Sequence, residues 1–334
     1  MVKNLLISPA PHLHGKESTR RIMLDVIIAL LPASLVAIFF AGLSALSVFV
    51  VSIVTCVATE YVIQRFMRRG PSTVGDLSAL LTAILLALNL PPSSPWWMVM
   101  IGAVVAIGIA KMTFGGLGNN LFNPALVGRV VLLISFPVLM TDWSMPYSIF
   151  YHPADAVSGA TPLGIIKEGL LQGLTIDQLN AQYNLSYWYL LFGKISGSMG
   201  EASAVALLLG FVYLLIRKVI RPHIPITIFI TIALFTGILW WVDPQHYADP
   251  LFHLLTGGVL IGAIFMATDY VTSPMSVKGM VIFGVGIGVI TVLIRVWGAY
   301  PEGVSFAILI MNATVPLLNM YCKPKRYGEE LKNG

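Results

Sequence analysis

Long apolar segments alternate with short polar ones along almost the whole chain. A helix needs about 20 mostly apolar residues to cross a bilayer, and fewer where it is broken or surrounded by protein. Ten segments come close to that length, and they cover residues 22–41, 44–64, 77–90, 96–113, 122–140, 201–217, 224–242, 251–268, 279–297 and 303–321. The pattern predicts an all-α polytopic membrane protein of about ten transmembrane helices.

Proline-containing segments recur at corresponding places in the two halves of this pattern. Residues 89–95 follow the third span and residues 268–274 follow the eighth; both segments end in Ser-Pro and precede a Gly-rich span. Five spans per half is an odd number, so the halves would face opposite sides of the membrane. Interrupted segments at matching positions are typical of broken helices that meet at a central site. We therefore predict two inverted five-helix repeats with helices 3 and 8 broken; ordinary loops with helix-stopping prolines are the alternative.

The predicted spans divide the chain into five parts. These are a cytoplasmic N-terminal segment (1–21), the first repeat (22–140), an outward-facing polar loop (141–200), the second repeat (201–321) and a cytoplasmic tail (322–334).

Composition and charge agree with a membrane protein and orient it. Apolar residues make up 57% of the 334 and charged ones only 10%, against about 25% charged in soluble domains. Arg and Lys accumulate in cytoplasmic loops. With both termini cytoplasmic, 16 of the 20 basic residues lie on the inner side, Lys111 among them. This places the loop 141–200 outside and explains the net charge of +5 without nucleic acid. The two cysteines cannot by themselves hold an iron–sulfur cluster or a zinc ion, which normally need about four ligands.

The outer loop contains two predicted helix starts. Thr161 followed by Pro162 is typical of an N-cap and first helical residue, and Thr175 with Gln178 forms a capping-box pattern. Small residues before Thr161 are expected to leave its hydroxyl accessible, and the helix N-terminus beyond it would stabilise a phosphate group. The alternative is a threonine that serves only as an N-cap.

Several segments in order resemble one known family. The string Asp155-x-x-Ser158-Gly159-Ala160-Thr161 resembles the motif at which a flavin transferase joins FMN through its phosphate to threonine. Residues 8–12, 18–23, 115–125 and 266–274 resemble the RnfD/NqrB family over nearly the whole chain, although Tyr270 stands where that family often has proline.

This resemblance implies a membrane subunit of the Rnf complex, an ion-translocating (Na⁺ or H⁺) ferredoxin:NAD⁺ oxidoreductase of the bacterial cytoplasmic membrane. It also implies FMN joined covalently to Thr161 and a non-covalent riboflavin. An FMN transferase would recognise Asp155 and Ser158 of the motif, which Gly159 and Ala160 complete; a turn residue is the alternative for Asp155. The implied partners are the membrane pair RnfA and RnfE, the flavoprotein RnfG, the iron–sulfur protein RnfB, the NADH-site protein RnfC and membrane lipid. The chain length favours the Rnf branch over NqrB of a sodium-pumping NADH:quinone reductase.

Other polar residues are candidates for the flavin or ion sites. Asn119, Asn120 and Asn123 would line a flavin or ion pocket or else satisfy backbone groups at a helix start. Asp269, at the inner break, is a candidate for the ion pathway or a helix-end residue. Charges within spans are costly and are functional candidates by default.

Four further charges fall in or near spans. Asp25 and Glu60 are expected near the cytoplasmic interface. Arg129 and Arg295 would lie near flavin or near each other, or else would snorkel to the interface or pair with carboxylates. We predict no catalytic residue and no metal site. A dinucleotide fingerprint is missing from the sequence, so NAD and ferredoxin chemistry would belong to other subunits. A channel or transporter of inverted-repeat fold, or a scaffold for redox partners, remain the competing hypotheses.

Overall fold

A computed structural model describes residues 18–69, 73–144, 158–183, 185–193 and 196–323. Each of the ten predicted spans coincides with helical residues. The α-helices are Thr19–Val62, Ser78–Leu88, Trp96–Val104, Pro124–Ser135, Pro137–Thr141, Pro162–Leu171, Ile176–Tyr183, Tyr187–Phe192, Ala204–Ile216, His223–Val242, Pro250–Leu255, Val259–Ile261, Val277–Trp297 and Val304–Tyr321. Wider π-helical turns continue three of them, at Ile63–Met67, Val105–Met112 and Gly262–Met266. Single 3₁₀ turns lie at Val74–Asp76 and Met199–Glu201.

Helix length and composition confirm a multi-pass membrane protein. Four helical runs in the described ranges are long and apolar enough to cross a bilayer: Thr19–Met67, His223–Val242, Val277–Trp297 and Val304–Tyr321. Shorter apolar helices at Ser78–Leu88, Trp96–Met112, Pro124–Ser135 and Ala204–Ile216 pack among them. The all-α membrane fold predicted from the sequence is therefore correct.

The first helical run, Thr19–Val62, is two helices joined at Gly42. Gly42 has φ 64° and ψ −143°, which no α-helix contains. Met23 lines the same cavity as Lys111, and Lys111 binds Glu60. In a straight helix Met23 and Glu60 would be about 55 Å apart at 1.5 Å per residue. The chain therefore reverses at Gly42, and the run supplies the first two spans.

Helices 3 and 8 are both interrupted. The helix Ser78–Leu88 is about 16 Å long at 1.5 Å per residue, too short to cross the hydrocarbon core, and it begins after Leu77 in the left-handed region (φ 66°). In helix 8, Gly257 and Gly258 are left-handed (φ 66° and 68°). They separate Pro250–Leu255 from the helical residues 259–266. The predicted breaks are thus present, while the inverted-repeat layout remains a prediction.

The two half-helices end beside each other in the interior. Asn89 follows the first, and its amide nitrogen lies 3.7 Å from the sulfur of Met266 at the end of the second. The Asn123 amide donates to the Met266 carbonyl over 3.3 Å. Non-helical chain with several turns then leads away from each half-helix at 89–95 and 267–276, the Pro-containing segments singled out in the sequence.

The loop 141–200 contains three helices that we call the cap: Pro162–Leu171, Ile176–Tyr183 and Tyr187–Phe192. The cap has a small apolar core of its own, shared with the chain before helix 8; its buried members are Leu163, Ile166, Ile176, Leu190, Ala248 and Phe252. Hydrogen bonds from Ile176 N to Gln245 O (3.0 Å) and from the Tyr187 hydroxyl to Asp249 (2.5 Å) fix it there. We call the side of the protein that carries the cap the cap face, and the other side the opposite face.

Candidate functional site

Thr161 is the N-cap of the helix Pro162–Leu171, as predicted. Its side-chain oxygen accepts a hydrogen bond from Gly164 N over 3.1 Å. The expectation of an accessible hydroxyl is wrong for this conformation, because Thr161 is only 4% exposed. A modifying enzyme could reach the hydroxyl only after the start of this helix moves.

The residues that precede Thr161 form a short strand and a turn. Ser158–Gly159 pairs antiparallel with Trp143–Ser144, in the register Trp143 with Gly159 and Ser144 with Ser158. Ala160 is exposed. Asp155, the first residue of the motif, lies outside the described residues. The described part of the motif is thus held by backbone pairing to the end of the fifth span.

Lys167 joins the cap helix to the end of the ninth span. Its ammonium donates to the carbonyls of Arg295 (3.3 Å), Gly298 and Tyr300 (3.3 Å). These carbonyls lie at the C-terminus of Val277–Trp297 and just beyond it, where a cation is favoured by the helix dipole. Partial burial lowers the pKa of Lys167 below its usual value. No local sequence pattern indicates this role for Lys167.

Arg295 joins the ninth span to the break in helix 8. Its guanidinium donates to the carbonyls of His253 (2.6 Å), Thr256 (2.7 Å) and Gly257 (3.1 Å). The amide of Gly257 in turn donates to Glu201 over 3.1 Å. Carboxylate pairing, one of the alternatives for Arg295, is therefore not observed. Instead, its terminal nitrogens donate to backbone carbonyls that the helix break leaves free.

A cavity of about 350 Å³ lies between the first cap helix and these elements. The cap contributes Leu163, Ile166, Lys167, Leu170 and Leu171, and the membrane part contributes His246, Tyr247, Ala248, His253, Arg295, Val296, Trp297 and Pro301. Within the described chain, Nε of Arg295 and Nδ1 of His253 are buried without a hydrogen-bond partner. Buried polar groups normally have partners, but these two atoms have almost no accessible surface and so do not face the cavity.

Arg129 organises a second polar cluster at the meeting point of the half-helices. It pairs with Glu302 and donates to Asn89 (3.2 Å) and Ser305 (2.6 Å). Carboxylate pairing, one of the alternatives for Arg129, is thus confirmed. Sequence reasoning missed Glu302, which lies 173 residues from its partner.

Asn123 connects several segments in this cluster. It is the N-cap of Pro124–Ser135, with its side-chain oxygen accepting from the amides of Ala125 and Leu126 (3.1 and 3.4 Å). With the Asn312 amide oriented to satisfy both of its groups, the Asn312 oxygen accepts from Asn123 N over 3.2 Å. Backbone satisfaction at a helix start, one of the two roles considered for Asn123, is therefore observed.

Asn120, Asn123 and Asp269 line one cavity toward the opposite face, together with Lys111 and apolar side chains. The cavity volume is about 70 Å³, room for about two waters at 30 Å³ each. The Asn120 side-chain oxygen is buried without a partner among the described residues. Asp269 accepts from the Thr272 hydroxyl over 3.2 Å. The structure thus brings these three predicted residues together.

Two acidic residues predicted near the interface are buried in ion pairs. Glu60 binds Lys111 over 2.6 Å, and both side chains are at most 2% exposed. Lys111 was counted among the inner-loop cations, but it lies in the π-helical turn Val105–Met112 and is buried. Asp25 pairs with Arg217 (3.1 Å) and accepts from the Tyr213 hydroxyl (2.9 Å). In the ranges covered by the structure, no group of three His, Cys, Asp or Glu could hold a metal ion.

Comparison with known proteins gives full-length relatives. The sequence profile of the NQR2, RnfD, RnfE family matches residues 6–328. The chain is 44% identical, over 98% of its length and 97% of the relative's, to the D subunit of the proton-translocating ferredoxin:NAD(+) oxidoreductase complex of Clostridium ljungdahlii. It is 43% identical, over 97% and 96%, to the D subunit of the Na(+)-translocating ferredoxin:NAD(+) oxidoreductase complex of Acetobacterium woodii.

A relative from another organism has a more general name. The chain is 40% identical, over 96% of its length and 98% of the relative's, to the D subunit of the ion-translocating oxidoreductase complex of Sodalis glossinidius. The match to the family profile and these identities agree with the resemblance seen in the sequence motifs. The chain belongs to the NQR2, RnfD, RnfE family.

Proposed function

We propose that this protein is the D-type membrane subunit of an Rnf complex, which couples electron transfer from ferredoxin to NAD⁺ with ion translocation. Relatives named as D subunits of ion-translocating oxidoreductase complexes, which match 96–98% of the chain, support this role. Two of those relatives, at 44% and 43% identity, are named for different ions, H⁺ and Na⁺. The proposed function is therefore translocation of either H⁺ or Na⁺. It places the chain in the bacterial cytoplasmic membrane with both termini cytoplasmic and the cap outside.

Thr161 is the residue proposed to carry FMN. The observation that supports this most directly is its position at the N-terminus of a ten-residue helix, directly after Ser158-Gly159-Ala160. The helix dipole at that end stabilises a phosphate, which suits a phosphoester on the threonine oxygen. The small residues that precede Thr161 fit the motif of an FMN transferase.

The flavin would supply the electron-transfer chemistry, and the protein would position it and set its potential. Thr161 tethers the cofactor and takes no part in electron transfer. NAD⁺ and ferredoxin would be handled by the other proposed Rnf proteins, namely the pair RnfA and RnfE, the flavoprotein RnfG, the iron–sulfur protein RnfB and the NADH-site protein RnfC. We expect the isolated chain to have no ferredoxin:NAD⁺ activity.

Non-covalent riboflavin is the second proposed cofactor. Asn120 and Asn123 offer amide groups to a polar ring edge, and the unpartnered oxygen of Asn120 fits such a contact. The cavity they line, about 70 Å³, is smaller than the roughly 300 Å³ of ordinary ligand sites. It does not fit a flavin in this conformation, so we assign riboflavin no position and derive no step through it.

The covalent attachment is tested by producing the chain together with an FMN transferase and inspecting a denaturing gel under ultraviolet light. We expect a fluorescent band for the wild type and a dark one for Thr161→Ala. Thr175→Ala is the matched control, because Thr175 precedes the next cap helix but lacks the motif; its band should stay fluorescent. A dark wild-type band, or fluorescence that survives Thr161→Ala, would refute the attachment.

A further inference from the structure

We propose that the cavity of about 350 Å³ beneath the cap holds the isoalloxazine ring of the flavin attached at Thr161, with the charges of Lys167 and Arg295 beside it. This inference rests on the proposed function, since it requires a flavin at Thr161. It adds a position for the ring and the residues that would set its potential.

The cavity lies within reach of the attachment residue. One wall is the helix that begins directly after Thr161, and Leu163, Ile166 and Lys167 on that helix line the cavity. At 1.5 Å per residue, Ile166 is about 7.5 Å along the helix from Thr161. The ribityl chain between the phosphate and the ring of FMN can cover a separation of this order. A phosphate at the helix start and a ring against the helix side are therefore compatible.

The shape and lining of the cavity suit a flat aromatic ring. Its volume is within the range of roughly 300–1,000 Å³ found for small-molecule sites, which are mostly apolar with a few polar groups. Leu163, Ile166 and Val296 supply apolar surface, while Tyr247 and Trp297 supply aromatic surface.

The charge of the lining suits a flavin that becomes reduced. Lys167 and Arg295 donate to backbone carbonyls, and Glu201 and Glu302 offset part of the Arg295 charge from a longer distance. In the part of the chain that the structure covers, neither is within salt-bridge distance of a carboxylate; the four ion pairs there involve other cations. A reduced flavin is readily anionic, and positive charge near the ring stabilises that form. The two cations would thus raise the midpoint potential of the bound flavin.

The first test measures that potential by spectroelectrochemistry on the folded, flavinylated protein. Lys167→Met should lower it, because a positive charge leaves the cavity, and Lys167→Arg should restore it. Lys278→Met is the matched control, since Lys278 is an exposed lysine on the opposite face; the potential should not change. If Lys167 only fixes the cap to the ninth span, its removal will loosen the cap but leave the potential unchanged, and that result would overturn the inference.

The second test does not depend on replacing a charged residue. Tyrosine and tryptophan side chains quench flavin fluorescence at contact distance, so Tyr247→Leu and Trp297→Leu should brighten the native protein while the denatured samples stay equally bright. Trp188→Leu, at an exposed cap residue that does not line the cavity, should have no effect. Unchanged brightness in the first two variants would place the ring elsewhere. A band that is dark after denaturation would instead contradict the covalent attachment itself, so the two failures are distinguishable.

Discussion

The carboxylate of Glu60 lies 2.6 Å from the ammonium of Lys111, and the two residues are 0% and 2% exposed. Further hydrogen bonds satisfy both groups: Thr73 donates to Glu60 over 2.5 Å, and Lys111 donates to Ser78 over 2.5 Å. Ser78 is the first residue of the half-helix Ser78–Leu88. This pair therefore joins the second and fourth spans to the start of the broken third helix.

Replacing one member of this pair should destabilise the protein more than replacing both. Lys111→Met leaves a buried, unpaired carboxylate, which costs about 3–5 kcal/mol, whereas replacing both partners of a buried pair is often close to neutral. We expect a large loss of thermal stability in detergent for Lys111→Met and a substantial recovery in the double variant Glu60→Gln with Lys111→Met. Equal losses in the single and double variants would show that the pair is not the interaction that matters.

Gly257 should not tolerate a methyl group. A β-carbon there would lie 2.4 Å from both Nη2 of Arg295 and Cδ1 of Leu163, and its φ of 66° is strained for other residues. Overpacking costs about 1–3 kcal/mol, so Gly257→Ala should lower the melting temperature markedly. Gly173→Ala is the control, with φ 80° and open space around it; it should show only the smaller backbone cost. Similar losses in the two variants would mean that packing at Gly257 is unimportant.

Asn123 should contribute to stability both as an N-cap and as a link between the halves. Asn123→Ala removes a cap worth about 1 kcal/mol and the hydrogen bond to the Met266 carbonyl, worth about another 1 kcal/mol. Asn123→Ser can still cap the helix but cannot reach Met266. The melting temperature measured by thermal unfolding should be highest for the wild type, lower for Asn123→Ser and lowest for Asn123→Ala. If the serine variant matches the wild type, the link to Met266 contributes nothing.

Local signals predicted much of the fold. The lengths of the apolar segments predicted the spans, and the N-cap pattern Thr161-Pro162 predicted a helix start in the loop 141–200. Both signals depend only on neighbours in sequence. The interruptions of helices 3 and 8 were also predicted, but from the prolines in residues 89–95 and 268–274, whereas the left-handed residues lie at Leu77, Gly257 and Gly258. The left-handed conformation of Leu77 was not predicted, because most leucines avoid it.

The partners of buried charges could not be predicted. Glu60 and Lys111 are 51 residues apart, and no local pattern relates them. Arg295 was recognised as a costly charge within a span, but its acceptors are carbonyls exposed by the break in helix 8, which exist only in the folded chain. Lys167 gave no signal beyond its place in a polar loop. The cavity beneath the cap depends on all of these tertiary contacts, so it could not be predicted from the sequence.

The reversal at Gly42 affects how other proteins can approach the cap face. It joins the first two spans without a loop, so at that point the chain presents no polar segment for a protease to cut or an antibody to recognise. The cap, by contrast, carries three helices and the exposed side chains of Tyr187, Trp188 and Phe192. A protein that approaches the cap face would therefore contact the cap, whose first helix begins directly after Thr161.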